Sequence, residues 1–290
     1  MGRSGGFAVV GLAGLLSMVG CGGRVVVDEL VVPAQGDDPE EPVPDGTGEP
    51  VEDEEPGASV PDGQVLTLAI GTDSLYWVDV AGQALTSTVD LPGCGAALMD
   101  IALTPEGYAY GTGPEGLYEV DPASGSCKLI SGGLYPNSLA LMPRGVVLPE
   151  DEALVGYREG SYLNMDLVTG AVTVLGELGG GYISSGDLVW AEEDGRAYAI
   201  VKGNGCNDCL AEIEPATGAL LQVVGPLDVS NVYGLAHAYG VTYGFSYGGL
   251  VLRIDRETGI TTPLPLVNAP PGISFVGATA PSAPPAAGDP

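Results

Sequence analysis

The sequence predicts an all-β protein: a five-bladed β-propeller whose C-terminal strand closes the first blade, preceded by a signal peptide and a disordered linker. Short β-rich runs begin at Val65, and a motif ending in a tight turn recurs five times, with 41 to 48 residues between copies. One more strand remains at the C-terminus without a blade of its own. A repeat of about 40–45 residues is the length of a four-stranded propeller blade. The predicted domains are a signal peptide (1–20), a lipidated N-terminus with an acidic tether (21–64), the propeller (65–281) and a disordered tail (282–290).

The first twenty residues predict export from the cytoplasm. An apolar run over residues 7–19 follows one basic residue, Arg3, and is too short and too rich in glycine for a membrane-spanning helix. The run ends in the order Met-Val-Gly-Cys, which resembles the lipobox of bacterial lipoproteins. That resemblance implies that Cys21 is the first mature residue and carries the lipid. Gly22, where many Gram-negative lipoproteins retained in the inner membrane have aspartate, favours the outer membrane of the cell envelope.

The chain is strongly acidic, with 9 basic and 38 acidic residues and a formal net charge of −29. Removal of Arg3 with the signal peptide takes away one positive charge and gives −30. This field repels the phosphates of nucleic acids and anionic lipid headgroups, so neither is expected as a partner. Contact with the membrane is expected only through the lipid on Cys21, where each buried methylene contributes about 0.8 kcal/mol.

Four cysteines remain for the oxidising compartment outside the cytoplasm, and they permit three pairings. Cys206 and Cys209 are close enough in sequence to close a small ring, which leaves Cys94 and Cys127 for a second disulfide. A four-cysteine zinc site needs two close pairs, and Cys94 and Cys127 are not one. The sequence thus predicts two structural disulfides and no metal site.

Residues 33–63 are rich in Pro, Gly, Asp and Glu and contain almost nothing apolar. Such a segment cannot bury enough surface to offset its chain entropy, and its charges repel one another, so an extended tether is expected. Stretched out, about thirty residues reach on the order of 100 Å, which is enough to clear the lipid headgroups. Weak calcium binding by the acidic run is the alternative to a solvated spacer.

Each copy of the repeat ends a strand with an apolar residue and then opens a turn with an acidic one. A side-chain oxygen at that position can cap the free amides of the turn, and a closing glycine adopts the left-handed conformation. We therefore expect the five acids to be turn formers on separate hairpins and not a ring of metal ligands. They are Asp79, Asp121, Asp166, Glu214 and Asp255.

Two more strands precede each hairpin in repeats two to five, but the first repeat lacks the opening one. In the second repeat they are residues 99–103 and 107–111. The segment from Phe275 to Pro281 has the pattern of an opening strand and no blade to follow it. We infer that it completes the first blade and closes the ring, which removes an exposed sheet edge. Six blades are the alternative, if a degenerate copy lies in the longer fourth repeat.

Residues 65–281 resemble bacterial β-propellers of the YVTN and quinoprotein-like repeat type, whose blades often carry a strand ending in VDPxTG. Residues 120–125 (VDPASG) are the stretch that resembles it. The resemblance implies the architecture and says little about activity, since this superfold hosts sensors, scaffolds, hydrolases and dehydrogenases. A quinone cofactor would need several inward-facing basic and acidic residues. The seven basic residues of the propeller region are scattered from Lys128 to Arg256, so no cofactor is predicted.

Propeller ligands usually lie around the central channel, where the inner strands begin. Alignment of the repeats places nine residues at that rim, and tyrosine, asparagine and aspartate side chains together suit a sugar or another small polar molecule. The alternative is a rim of ordinary loop residues. The nine residues are Asp100, Tyr135, Asn137, Tyr182, Ser185, Asp187, Asn231, Tyr233 and Phe275.

Asp100 and Asp187 are the rim carboxylates that stand at matching inner-strand positions, two blades apart. A glycoside hydrolase would use such a pair as acid and as nucleophile or base, and this is the enzymatic alternative. No third acid joins them. The single histidine, His237, cannot build a metal site alone and is expected to be a satisfied strand or turn residue. No catalytic residue is predicted.

The sequence therefore predicts a membrane-anchored binding or scaffolding module displayed outside the cytoplasm. Its partner would be an envelope protein or a small polar ligand such as a glycan. A hydrolytic enzyme and a structural or adhesive surface lipoprotein are the two alternatives.

Replacement of Cys21 by serine should abolish lipidation, because serine has no thiol to acylate. We expect the Cys21→Ser protein to incorporate no radiolabelled palmitate and to leave the outer-membrane fraction of a sucrose gradient. Ser59→Ala, in the predicted tether, is the control and should keep both properties. Palmitate label retained by Cys21→Ser would contradict the lipoprotein interpretation.

Overall fold

A computed structural model describes residues 65–95 and 97–281, and β-strands are the regular elements found there. The predicted signal peptide, the lipidation site at Cys21, the tether and the C-terminal tail lie outside the described residues. No helix in the described part of the chain is long and apolar enough to cross a membrane.

Twenty strands follow one another along the chain, joined by turns and short loops. The first ten are β1 (Leu66–Ile70), β2 (Ser74–Asp79), β3 (Ala84–Asp90), β4 (Asp100–Leu103), β5 (Ala109–Gly113), β6 (Gly116–Val120), β7 (Cys127–Gly132), β8 (Ala140–Met142), β9 (Ala153–Arg158) and β10 (Ser161–Met165). The others are β11 (Val172–Glu177), β12 (Tyr182–Ala191), β13 (Arg196–Gly203), β14 (Cys206–Ile213), β15 (Leu220–Pro226), β16 (Val232–Ala238), β17 (Val241–Ser246), β18 (Val251–Ile254), β19 (Thr261–Leu264) and β20 (Gly277–Thr279).

The strands form five antiparallel sheets of four, and each sheet is one propeller blade. Blades two to five each use four consecutive strands, with β4, β8, β12 and β16 innermost. Blade one has the order β20-β1-β2-β3, so the last strand closes the ring as the sequence predicts. In that closure Ala278 lies opposite Ala69. The closing strand is shorter than the predicted segment from Phe275 to Pro281.

The prediction of five blades is confirmed, and the six-bladed alternative is wrong for the described residues. The longer fourth repeat forms one sheet, β12 to β15, whose strands are long. Its extra residues are taken up in irregular pairing, since the register between β12 and β13 shifts between Ser184 and Leu188. A bulge of this kind lengthens a strand without adding a new one.

The hydrophobic core is divided into five clusters, one in each gap between neighbouring blades. Side chains alternate across a strand, so every blade packs against both of its neighbours. In β1, Leu68 and Ile70 join the cluster shared with blade two, whereas Ala69 joins the cluster shared with blade five. Contacts between neighbouring blades therefore hold the ring together.

The five repeated acids cap their turns, as expected from the sequence. In blade two, Asp121 Oδ1 accepts a hydrogen bond from the backbone N–H of Ala123 at 2.8 Å. The turn closes at Gly125, whose φ is +71° and where a Cβ would lie 1.9 Å from the Asp90 carbonyl oxygen. Only glycine fits that conformation and that space. In the shorter turn of blade one, Gln83 takes the left-handed position with a φ of 52°.

Both predicted disulfides are present. Cys94 and Cys127 are bonded with their Cα atoms 5.0 Å apart, and Cys206 is bonded to Cys209. Cys94 is buried in the cluster between blades one and two, and it ties the segment before β4 to β7, the outermost strand of the same blade.

The Cys94–Cys127 disulfide spans 33 residues and should contribute more to stability than Cys206–Cys209, which spans 3. The chain entropy removed from the unfolded state predicts about 4 kcal/mol for the larger loop and about 2 kcal/mol for the smaller one. The free energy of unfolding in urea, measured for Cys94→Ala/Cys127→Ala and for Cys206→Ala/Cys209→Ala, makes the comparison. Equal losses, or a larger loss for the small loop, would contradict this ranking.

Candidate functional site

The inner strands bring Asp100 and Asp187 together in the middle of the channel. Asp100 begins β4 and Asp187 lies within β12, and both residues are 0% exposed. Their carboxyl groups are hydrogen-bonded to each other. The sequence places these two acids at the rim, two blades apart, whereas the structure places them in contact and away from solvent.

Backbone groups surround the carboxyl of Asp100. Its Oδ1 accepts a hydrogen bond from the N–H of Ile101 at 2.8 Å, and its Oδ2 accepts one from the N–H of Leu139 at 2.7 Å. On the blade-one side, a Cβ at Gly277 would lie 2.1 Å from Asp100 Oδ1. Glycine at the start of β20 is therefore what allows blade one to approach this carboxyl.

Asp187 is held in the same way from the opposite side. Its Oδ1 accepts hydrogen bonds from the N–H groups of Leu188 (2.7 Å) and Leu139 (3.2 Å), and its Oδ2 accepts one from Leu235 (2.8 Å). The pair thus hydrogen-bonds to blades two, three, four and five and contacts blade one. We call Asp100 and Asp187 the carboxyl hub.

Burial raises the pKa of both acids. Loss of hydration raises the pKa of Asp100 well above its usual range, and the charge of Asp187 raises it further. Burial also raises the pKa of Asp187 to about 7, although hydrogen bonds from Asp100 and from backbone N–H groups oppose that rise. Asp100 is therefore the member of the pair that holds its proton more tightly, and it donates a hydrogen bond to Asp187.

The carboxyl hub is a structural element in this conformation. Every oxygen of the pair has a hydrogen-bond partner within the protein, and neither residue has any surface open to solvent. A glycosidase needs its two carboxyl groups on either side of the bond that it cleaves. A sugar cannot enter between two acids that contact each other.

Three of the other predicted rim residues meet around a residue that the sequence reading missed, Asp208. Ser185 donates its hydroxyl to Asp208 Oδ1 at 2.9 Å, and the N–H of Asn231 donates to Oδ2 at 2.7 Å. The Tyr233 hydroxyl donates to the side chain of Asn231 at 3.2 Å. The Tyr233 ring lies 6.0 Å from that of Tyr247, a second residue that was missed. Asp208 lies inside the Cys206–Cys209 loop, which is the sequence signal that could have identified it.

The remaining four rim residues do not join that group. Tyr135 is buried and donates its hydroxyl to the Gly170 carbonyl at 2.7 Å. Phe275 is buried, with its ring 5.4 Å from that of Phe245. Tyr182 packs against the cluster between blades three and four, and Asn137 is exposed on the surface.

A pocket of about 430 Å³ opens at the other end of the channel, where the inner strands end. All five inner strands contribute to its walls. Its deepest residues include Leu139, Leu188 and Leu235, whose backbone N–H groups bind the carboxyl hub. The hub therefore lies directly behind the floor of the pocket. The other lining residues are Leu103, Ala140, Leu141, Val189, Trp190, Glu192, Glu193, His237, Ala238, Tyr239, Gly240, Ala278, Thr279 and Ala280.

Polar residues are concentrated at the mouth of this pocket. His237 Nε2 is 2.7 Å from Glu193 Oε2, and His237 Nδ1 is 3.0 Å from Thr242 Oγ1. Burial lowers the pKa of His237 below its ordinary value, against the opposing effect of Glu193. Arg256 bonds to both Glu193 and Asp194. The expectation that His237 is a satisfied strand residue is confirmed, since both ring nitrogens have partners.

No group of three or more His, Cys, Asp or Glu residues in the described part of the chain is placed to hold a metal ion. The five turn acids cap separate hairpins. Among the described residues, the indole Nε1 of Trp190 is a buried donor with no hydrogen-bond partner.

No protein-family model matches this sequence, and no curated protein does. TolB from Acinetobacter baumannii is 11% identical over 75% of this chain and 67% of its own, with a TM-score of 0.45. A gluconolactonase from Xanthomonas campestris is 14% identical over 69% and 76%, with a TM-score of 0.43. A Bacteroides caccae protein of unknown function is 10% identical over 74% and 98%, with a TM-score of 0.43. At these identities the likeness concerns the propeller fold alone.

The carboxyl hub should make the protein less stable as pH rises. The folded chain retains protons on these acids that the unfolded chain releases near about pH 4. The contribution is fully present below that pH and is lost as pH rises through the Asp187 pKa of about 7. We expect the free energy of unfolding in urea to decline by about 1.4 kcal/mol per pH unit for each proton retained.

Asp187→Asn cannot release a proton, so it should make that decline shallower by about 1.4 kcal/mol per pH unit between about pH 5 and pH 7, and the proton retained by Asp100 accounts for what remains. Asp255→Asn is the matched control. Hydrogen bonds from the N–H of Glu257 and from Thr258 lower the pKa of Asp255, so it titrates below this window. A decline that persists unchanged in Asp187→Asn would show that the hub is not its source.

Proposed function

We propose that this protein is a lipid-anchored propeller of the cell envelope, of the YVTN or quinoprotein-like repeat type, that binds a ligand at the end of its channel and catalyses no reaction. The observation that carries this proposal is the pocket of about 430 Å³, open on one face and closed at its floor by the carboxyl hub. Small-molecule sites have volumes of about 300–1,000 Å³ and mostly apolar walls. The pocket meets both conditions.

The chemistry of the pocket supports binding over catalysis. Its walls are mainly leucine and alanine side chains. His237, the side chain there that could act as a general base near neutral pH, is bonded on both ring nitrogens. Its hydroxyl partner, Thr242, is only 1% exposed, so a substrate cannot reach it. The hydrolytic alternative depended on Asp100 and Asp187 as a catalytic pair, and these two acids are in contact with each other and buried away from any substrate.

The apolar walls favour a ligand with an apolar body. The sequence leaves an envelope protein and a small polar ligand open as partners, and either would have to present an apolar group to fit this pocket. A lipid on Cys21 and an acidic tether would hold the propeller in the outer membrane, away from anionic headgroups, where such partners occur.

The Asp208 cluster is a second candidate site, for a polar ligand such as a glycan. Tyr247 is 53% exposed and lies beside Tyr233, and exposed tyrosines stack against sugar rings. The carboxylate of Asp208 already accepts hydrogen bonds from Ser185 and Asn231, and the cluster lies on an open surface. The pocket at the end of the channel, which has a closed floor, is therefore the stronger of the two.

Filling the pocket should abolish binding of an apolar probe. Ala280 lines the pocket, is partly exposed and packs at the edge of the cluster between blades one and five, so Ala280→Phe adds bulk to the pocket wall. We expect the neutral fluorophore N-phenyl-1-naphthylamine to bind the unaltered chain and to bind Ala280→Phe at least about tenfold more weakly, since a filled site loses the buried area of the probe.

Ala171→Phe, at an exposed turn outside the pocket, is the matched control and should bind the probe normally. Thermal unfolding of all three proteins checks that they are folded. A probe that binds all three equally, or binds none of them, would contradict the proposal.

A further inference from the structure

We infer that the pocket takes an organic cation, a molecule with an apolar body and a positively charged amine. This inference rests on the proposed function, because it names the class of ligand for the same pocket. It draws on three independent features of the site: the walls, the charges at the mouth and the aromatic residues beside them.

The walls define the apolar body of the ligand. Leu139, Leu188 and Leu235 form the floor, and Leu103 and Leu141 line the sides. The backbone N–H groups of the three floor residues are used by the carboxyl hub, so they are not offered to a ligand. An apolar group in contact with these leucines gains from the area removed from water.

The charges at the mouth select the other end of the ligand. The turn between β12 and β13 carries three consecutive acids, Glu192, Glu193 and Asp194. Arg256 pairs with Glu193 and Asp194, and His237 is kept neutral near pH 7 by burial. Glu192 is exposed, lines the pocket and has no salt bridge within the described residues. The mouth therefore keeps an excess of negative charge.

The overall charge of the chain acts in the same direction. A net charge of −29 attracts cations and repels anions, and the effect is stronger next to low-dielectric walls. It also argues against the chain's own tether as occupant, since residues 33–63 are themselves acidic. A carboxylate or phosphate ligand would meet repulsion at Glu192.

Aromatic residues stand beside the acidic mouth. Trp190 and Tyr239 both line the pocket, and Tyr239 is 60% exposed. The faces of tryptophan and tyrosine attract organic ammonium groups. Apolar walls, an unpaired carboxylate and aromatic side chains together match an amine that carries an apolar chain.

Three probes with the same chain and different head groups test the inference: octylammonium, 1-octanol and octanoate. The protein is the mature chain carrying Cys21→Ser, which needs no detergent, together with Trp77→Phe. Trp190 is then the remaining tryptophan and reports binding by fluorescence, since the chain contains two. We expect octylammonium to bind about fivefold more tightly than octanol, and octanoate to bind most weakly.

Two glutamine variants locate the charge that is responsible. Glu192→Gln should bring octylammonium within about twofold of octanol. Glu106→Gln is the matched control, because Glu106 is an exposed acid at the corresponding hairpin turn of blade two and does not line the pocket. It should leave the preference for octylammonium unchanged.

The outcomes separate the two proposals. If all three probes bind equally and Ala280→Phe weakens them, the pocket binds ligands but the preference for a cation is wrong. If Glu192→Gln and Glu106→Gln reduce the preference equally, the general charge of the chain is responsible and the inference is overturned. If no octyl probe binds but N-phenyl-1-naphthylamine does, the inference fails and the proposed binding function stands. If N-phenyl-1-naphthylamine does not bind either, both fail.

Discussion

Two ionised carboxylates in contact at the centre of a protein would repel each other strongly, and this propeller avoids the cost by keeping a proton between Asp100 and Asp187. With that proton in place, the pair accepts hydrogen bonds from backbone N–H groups of the inner strands. Gly277, which has no side chain, allows β20 to approach Asp100. The buried apolar side chains form five separate clusters, each between two neighbouring blades. The hub, in contrast, reaches all five blades.

The same pair decides which parts of the channel can bind a ligand. Because the hub lies behind Leu139, Leu188 and Leu235, the channel is a blind pocket on the face where the inner strands end. The face where they begin carries instead the polar cluster around Asp208. The two faces thus differ in chemistry: one holds a pocket with mainly apolar walls and an acidic mouth, and the other carries a cluster of hydrogen-bonded polar side chains.

Much of the architecture follows from local sequence signals. The turn acids and their glycines recur with a fixed spacing, and the unpaired segment after Phe275 reveals how the ring closes. The functional geometry depends on long-range packing that no local pattern encodes. Alignment could place Asp100 and Asp187 on inner strands, but their contact depends on how far two distant blades project into the channel. Leu103 and Leu141 line a pocket although, in sequence, they resemble any buried strand residue.

The pairing of β20 with β1 joins the two ends of the domain, and this sets the order in which the chain can be completed. The innermost strand of blade one is the last to be synthesised, so the ring stays open until the C-terminus is available. A chain exported from its N-terminus would therefore cross a membrane before this closure, with blade one still short of a strand. Contacts between residues so distant in sequence form slowly, so in an exported chain the step that seals the ring would take place in the compartment of destination.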